Sequence, residues 1–364
     1  MNKTSASPLA LMYAALLVYA SLYPFADWRD QGIAPWAFLG APLPKYWTGF
    51  DVVSNVLGYA PLGFLLVLSA LRSARPRHAV ALATLVGGAL SLTMESLQGY
   101  LPTRVPSNVD LGLNVVGAGL GAWMAWSLER MGVIARWSRL RARWFVQDAR
   151  GALVLLALWP VALLFPAAVP FGLGQVLERL EAGLASLLQQ TPFLNWLPLR
   201  VLELQPLVPL AELLCVMLGL VIPCLLGYCV IRSHRQRPVL VLMVAGTGIG
   251  ASALSAALSY GPDHAWTWFS EPVRAGLVAA LVLLVLLLGL SRRASAAVVL
   301  LALGVYLSVL NQAPTSAYFA QTLSTWEQGR FIRFHGLVQW LGWLWPYAVL
   351  IYTLSRVGAR ELKN

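Results

Sequence analysis

"DVVSNVLGYAPLGFLLVLSAL", residues 51–71, carries one formal charge at its first position and none in the twenty residues that follow. At about 1.5 Å per residue, such a run makes a helix about 30 Å long, the thickness of a bilayer's hydrocarbon core. A helix of this length on the surface of a soluble domain would carry a charged face; this one has none. Comparable runs stand near residues 8–24, 79–100, 108–128, 151–170, 208–231, 238–260, 272–290, 295–311 and 336–355, so about ten spans are expected. Across 364 residues the chain is 59% hydrophobic and 11% charged, with a mean hydropathy of +0.69. These values predict an all-α polytopic membrane protein.

The formal net charge of +11 does not point to nucleic acid, because the arginines stand in short clusters between apolar runs and form no aromatic-rich basic surface. With the N-terminus inside, Lys3 and the clusters at 72–77, 130–150, 232–237, 292–293 and 356–363 all face the cytoplasm. That is 18 of 26 basic residues, against only Glu129, Asp148 and Glu361 of 15 acids. The positive-inside bias therefore predicts that both termini are cytoplasmic.

Three parts follow from the pattern. Residues 1–128 hold four spans. Residues 129–150, "ERMGVIARWSRLRARWFVQDAR", read as a basic helix lying on the inner leaflet. Residues 151–364 hold six more spans and an outer segment, 171–207, where Leu177, Leu180, Leu184 and Leu187 recur with helical spacing. Cys215, Cys224 and Cys229 share one span, so no disulfide framework crosses the outer loops. No metal-ligand spacing or P-loop occurs, and no metal or cofactor is expected. In "GTGIGAS", Gly246 and Gly250 have the spacing of small residues at a close helix contact. Glu212 and Arg274, both near outer helix ends, are placed to pair.

The polar residues of the first four spans are more specific. "DLGLNVVG" at 110–117 repeats "DVVSNVLG" at 51–58, with Asp, Asn and Gly at the same spacing. Both spans run from outside to inside, so Asp51 and Asp110 start at one surface, with Asn55 and Asn114 about 6 Å deeper on the same helix faces. "YASLYP" at 19–24 and "LQGYLP" at 97–102 echo each other in the preceding spans, which suggests a tandem two-helix repeat. Glu95 and Gln98, at i and i+3, and Arg104 in the next loop complete the set. An intramembrane carboxylate is costly and needs a partner or water. The plainer readings stand beside this one: Asp51 and Asp110 as helix caps, Asn55 and Asn114 as interhelical glue, and Glu95 with Gln98 as the same.

These stretches resemble the VanZ-like family. "DVVSNVLGYAPLGF" is similar to its D-x-x-x-N-x-x-x-[FY]-x-P-L-G-F segment, and "ESLQGYLPTRVPSNVDLGLNVVG" to its E-x-x-Q-x-[FY]-x-P-x-R-x-x-S-x-x-D-x-x-x-N-x-x-G segment. The resemblance covers about residues 8–128. It implies a four-helix bundle of the bacterial cytoplasmic membrane and singles out Asp51, Asn55, Glu95, Gln98, Arg104, Asp110 and Asn114, with Pro61, Gly63 and Gly117 as structural motif positions. The family is named for a protein linked to teicoplanin resistance, and the resemblance brings no defined reaction.

Three functions compete at this stage. In the first, an outward-facing polar pocket binds an amphiphile such as a lipid-linked envelope precursor or lipoglycopeptide, with membrane lipids around it and no nucleic acid partner. In the second, an intramembrane enzyme uses Glu95 and Asp110 as acid and base on a lipid head group. In the third, a transporter needs a polar path to the cytoplasmic side, which the inner ends of the first four spans do not carry.

Overall fold

The computed structural model describes residues 6–22, 25, 27–43, 49–71, 78–165, 167–189, 191–193, 206–260, 262–314 and 332–361. Lys3, the arginines of 72–77 and residues 194–205 of the expected outer segment lie outside the described residues. Among the described residues there is no sheet, only an isolated bridge between Phe145 and Ile231. The chain divides into two compact units, Met1–Leu140 and Arg141–Asn364.

The first unit contains α1 (Ala6–Leu22), α2 (Gly49–Leu71), α3 (Ala79–Gln98), α4 (Asn108–Arg130) and the start of α5 (Val133–Trp144). Its centre is the contact between α2 and α4. Asn55 meets Asp110, Val56 meets Gly117 and Ala60 meets Gly121, so residue numbers rise together and the two helices are parallel. They touch backbone to backbone. A Cβ on Gly63 would lie 1.9 Å from the Ala118 carbonyl oxygen, one on Gly117 2.3 Å from that of Val56, and one on Gly121 1.8 Å from that of Ala60. Small residues permit this approach, which gains dispersion contacts where lipid offers no hydrophobic driving force. Pro61 lies inside α2 and removes the N–H that would serve the Leu57 carbonyl. The next carbonyl, of Gly58, accepts from the Tyr13 hydroxyl of α1 at 2.9 Å, which ties α1 to α2 beside the proline.

The second unit contains α6 (Arg150–Ala162), α7 (Leu177–Leu188), α8 (Pro209–Val230), α9 (Arg237–Tyr260), α10 (Glu271–Leu286), α11 (Arg292–Leu310) and α12 (Ile332–Glu361). Every residue of α8 from Leu218 to Tyr228 is buried. A helix that is apolar on all sides belongs in the middle of a bundle, and α10, α11, α9 and α6 surround it. The chain before α8 holds to it at its far end, where the Val146 N–H donates to Val230 and the Arg232 N–H to Trp144, at 2.9 and 2.8 Å.

Nine of the ten expected spans fall on helices along most of their described length, and the fifth does so only in its first part. Among the described residues seven stretches are long and apolar enough to cross a membrane by themselves, namely those on α2, α3, α4, α8, α9, α10 and α11. The first expected span is the 17-residue α1. The fifth, expected over 151–170, is corrected: α6 has 13 residues and ends at Ala162. Thirteen residues cover about 20 Å, well short of the apolar core.

The chain beyond α6 is irregular yet buried at Val169 and from Phe171 to Gln175. The prolines at 166 and 170 cannot donate to a helix ladder, and Phe171 and Gly174 take positive φ values of 61° and 96°. Non-helical backbone at membrane depth is tolerated where protein buries it. Here polar side chains serve it. The Tyr306 hydroxyl donates to the Phe171 carbonyl at 2.7 Å and accepts from the Leu173 N–H at 2.5 Å. The Asn311 amide donates to the Gly174 carbonyl at 3.3 Å and accepts from the Val176 and Leu177 N–H groups at 3.2 Å.

Two smaller expectations also change. Gly246 and Gly250 have nothing within 4 Å of an added Cβ, whereas at Gly248 such a Cβ would meet the Trp159 ring at 2.5 Å and the Phe171 ring at 2.8 Å. The glycine between the two expected ones makes the close contact, because it is the one facing α6 and the irregular segment. Arg274 pairs with Glu271 one turn before it and not with Glu212, since an i, i+3 partner on its own helix is nearest.

Candidate functional site

The parallel packing of α2 and α4 puts Asp51 and Asp110, each in the first turn of its helix, at one end of the first unit. The loop between α3 and α4 lies at this end and carries Arg104. Ser107 opens α4 with extended backbone, and its hydroxyl accepts from the Asp110 N–H at 3.3 Å. This is an N-cap in the S-x-x-D spacing. Glu95 reaches up from α3 and accepts from the Ser107 N–H at 2.8 Å. The buried acid thus holds the start of α4 against the end of α3.

The other polar residues bind the helices together. Asn55 donates to the Asp110 carboxylate at 3.0 Å, Asn114 donates to the Ser91 hydroxyl at 2.9 Å, and Gln98 donates to the Ser21 carbonyl at the end of α1 at 2.9 Å. The two asparagines are alike in sequence and unlike in role, one joining α2 to α4 and the other α4 to α3. Below them the Tyr59 hydroxyl lies close to Ser91 and Glu95, and Asn114 Oδ1 is buried without a hydrogen-bond partner. The loop carrying Arg104 is tied from above as well. The Arg29 N–H donates to Tyr100 at 3.0 Å, the Gln31 side chain to Gly99 at 2.8 Å and the Asn108 side chain to Ala41 at 2.7 Å.

Burial grades the set by depth. Ser91, Glu95, Gln98 and Asn114 are buried, whereas Asp51, Asn55, Arg104 and Asp110 are half-buried. The seven expected residues therefore form a buried lower layer under a half-buried rim. Glu95 and Asp110 both accept hydrogen bonds from neighbours in the fold, so in this arrangement they hold structure. Of the motif positions, Gly63 and Gly117 are backbone contacts of α2 and α4, and Pro61 lies inside α2 one turn beyond the carbonyl that Tyr13 of α1 engages. Sequence reasoning did not single out Ser107, whose S-x-x-D spacing was a legible cap signal. Ser91, Tyr59 and Gln31 carried no such signal. Among the described residues no His, Cys, Asp and Glu come together in a group that could hold a metal.

Replacing Glu95 by alanine strips the charged partner from the half-buried Ser107 N–H. A loss of about 1–3 kcal/mol is expected, read as a lower unfolding temperature of the detergent-solubilised protein, with Glu95→Gln recovering part of it. Unchanged melting of Glu95→Ala would remove the proposed latch.

Fold and polar layer together define a multi-pass helical membrane protein whose first unit is built around a parallel pair of helices joined by buried amide and carboxylate groups. Residues 4–129 match the VanZ/LLP1 family, so the N-terminal part of the chain resembles a VanZ-like domain. Comparison with curated proteins gives no match, and comparison with solved structures gives none.

Proposed function

We propose that the VanZ-like unit binds the polar head of an amphiphile, a lipid-linked envelope precursor or lipoglycopeptide, at the outer surface of the bacterial cytoplasmic membrane, with both chain termini inside. The observation that carries this reading is Arg104, half-buried in a loop whose two ends are held by Glu95, Gln98 and the segment around Gln31. A loop held at both ends loses less freedom when its guanidinium meets a phosphate or carboxylate, and the guanidinium's fork matches either group in two hydrogen bonds. Asp51, Asn55 and Asp110 share its rim and offer acceptors and an amide to sugar or peptide groups. Glu95, Gln98 and Asn114 support the rim from below.

The test uses the full-length protein and two probes, fluorescent teicoplanin and a polyprenyl diphosphate. Arg104→Ala is expected to weaken binding of at least one probe by tenfold or more, and to abolish any teicoplanin protection of cells, at normal abundance and unchanged unfolding temperature. Wild-type binding of neither probe, or equal binding by the folded Arg104→Ala protein, would refute the reading.

A further inference from the structure

The second unit has a polar feature at the opposite extreme of charge. The turn between α8 and α9 and the turn between α10 and α11 come together around a cavity of about 350 Å³ lined by Arg232, His234, Arg237, Arg292 and Arg293, with Ile231 and Ser291. The volume falls within the usual range for small-molecule sites. Four of the lining residues are arginines, and among the described residues none of the four forms an ion pair.

Arg237 stands at the centre. It is 2% exposed, and its guanidinium donates to the Leu288 and Leu290 carbonyls at 2.5 and 2.8 Å and lies 4.6 Å from the centre of the Tyr228 ring. Those groups hold the side chain without neutralising it. Its Nε is buried and has no hydrogen-bond partner. Arg292 is anchored in the same way, through Nε to the Ile231 carbonyl at 3.1 Å, and Arg232 through Nε to that of Phe145 at 2.8 Å. The positive ends of two helices add to the field, because α9 starts at Arg237 and α11 starts at Arg292 behind its Ser291 cap.

Clustered arginines held only by carbonyls and an aromatic face leave their mutual repulsion uncompensated. An anion in the cavity removes it. We propose that this cavity is a phosphate-binding site for the head group of an anionic phospholipid. Its position at the ends of four long apolar helices, α8 to α11, sets it at head-group depth, where basic pockets between transmembrane helices meet acidic lipids. Guanidinium groups suit a phosphate better than ammonium groups because each presents two parallel donors. The site belongs to the second unit and does not depend on the proposal for Arg104.

The experiment is equilibrium binding to the full-length protein in neutral detergent, with short-chain phosphatidylglycerol, short-chain phosphatidylcholine and inorganic pyrophosphate as probes. Arg293→Glu reverses an exposed charge that makes no hydrogen bond among the described residues, so it is the variant least disruptive to the fold. Arg232→Gln is the second variant, and Arg139→Glu on α5 is the control for diffuse charge. Phosphatidylglycerol is expected to bind and phosphatidylcholine not to.

Near a membrane surface each basic charge is worth about fivefold in affinity, so reversing Arg293 should weaken phosphatidylglycerol roughly 25-fold and Arg139→Glu should leave it unchanged. Failure of pyrophosphate to compete would identify a lipid as the source of the phosphate. Competition by pyrophosphate at similar affinity would keep the phosphate site and transfer it to a soluble anion. No preference for either anionic probe over phosphatidylcholine, or an equal loss at Arg139 and Arg293, would overturn the site.

Discussion

Gly121→Ala is expected to destabilise the VanZ-like unit by more than about 3 kcal/mol, an effect out of proportion to one added methyl group. The added Cβ would lie 1.8 Å from the Ala60 carbonyl oxygen, 2.6 Å from its carbon and 2.9 Å from the Ala60 Cα. All three are backbone atoms, so no rotamer change relieves the overlap and α2 must move away from α4. Ordinary overpacking costs about 1–3 kcal/mol because side chains shift to absorb it; that relief is missing here. The same separation loosens the contacts at Gly63 and Gly117, and it pulls Asn55 from Asp110. Helix propensity works the other way, favouring alanine over glycine by about 1 kcal/mol, and is too small to compensate.

Gly112 supplies the control. It lies on the same helix with nothing within 4 Å of an added Cβ, so Gly112→Ala should leave stability unchanged or raise it by up to about 1 kcal/mol. Unfolding of the two variants in detergent, followed by temperature or denaturant, separates the effects. If both melted together with the wild type, the backbone contact between α2 and α4 would be wrong.

Much of this was legible before any coordinates, and the illegible part has a common cause. Apolar runs are local, and all but the fifth of the ten fell on a helix over most of their described length. Asp51 and Asp110 were legible as helix beginnings, because an acid in a first turn answers free N–H groups nearby. What could not be read was the partner of each polar side chain. Asn55 and Asn114 stand at identical positions in the motif, yet one meets Asp110 and the other Ser91. That depends on which helix lies alongside, and the two halves of an imperfect repeat have different neighbours.

Close helix contacts were legible only as a spacing. Gly117 and Gly121 have the same spacing as Gly246 and Gly250, and only the first pair meets another backbone. The pattern of small residues states that a close approach is permitted, and the fold decides whether a helix takes it. The broken fifth span was misread for a different reason. Hydropathy counts "LLFPAAVPFGLG", residues 163–174, as apolar, but its prolines remove the donors that an intact helix needs. Tyr306 and Asn311, which rescue the exposed backbone groups, lie more than a hundred residues further on.

The dependence of that irregular segment on Asn311 supports the second large effect. Asn311 is 4% exposed at the end of α11, and its side chain serves three backbone groups that have left regular structure: the Val176 and Leu177 N–H groups and the Gly174 carbonyl. Val176, as the residue before α7, provides no side-chain cap, so Asn311 does that work from another helix. Asn311→Leu keeps the side chain's approximate volume, removes the acceptor of both N–H groups, and leaves the Gly174 carbonyl with only the Tyr347 hydroxyl, which donates to it at 3.2 Å. Each orphaned N–H costs about 1–3 kcal/mol where water is kept out, so with two of them a loss of about 2–4 kcal/mol is expected.

Asn311→Asp separates the two halves of the role. It keeps an oxygen for the two N–H groups and loses the donor to Gly174, so it should fall between leucine and the wild type. The loss should also be local before it is global. Limited proteolysis of folded Asn311→Leu protein is expected to open a new cleavage between residues 163 and 176 at temperatures where the wild type is intact there. Tyr306→Phe, which removes the hydroxyl serving Phe171 and Leu173, should expose the same segment. If Asn311→Leu melts like the wild type and gains no cleavage in that stretch, the segment is held by packing alone and the side-chain clamp is not what stabilises it.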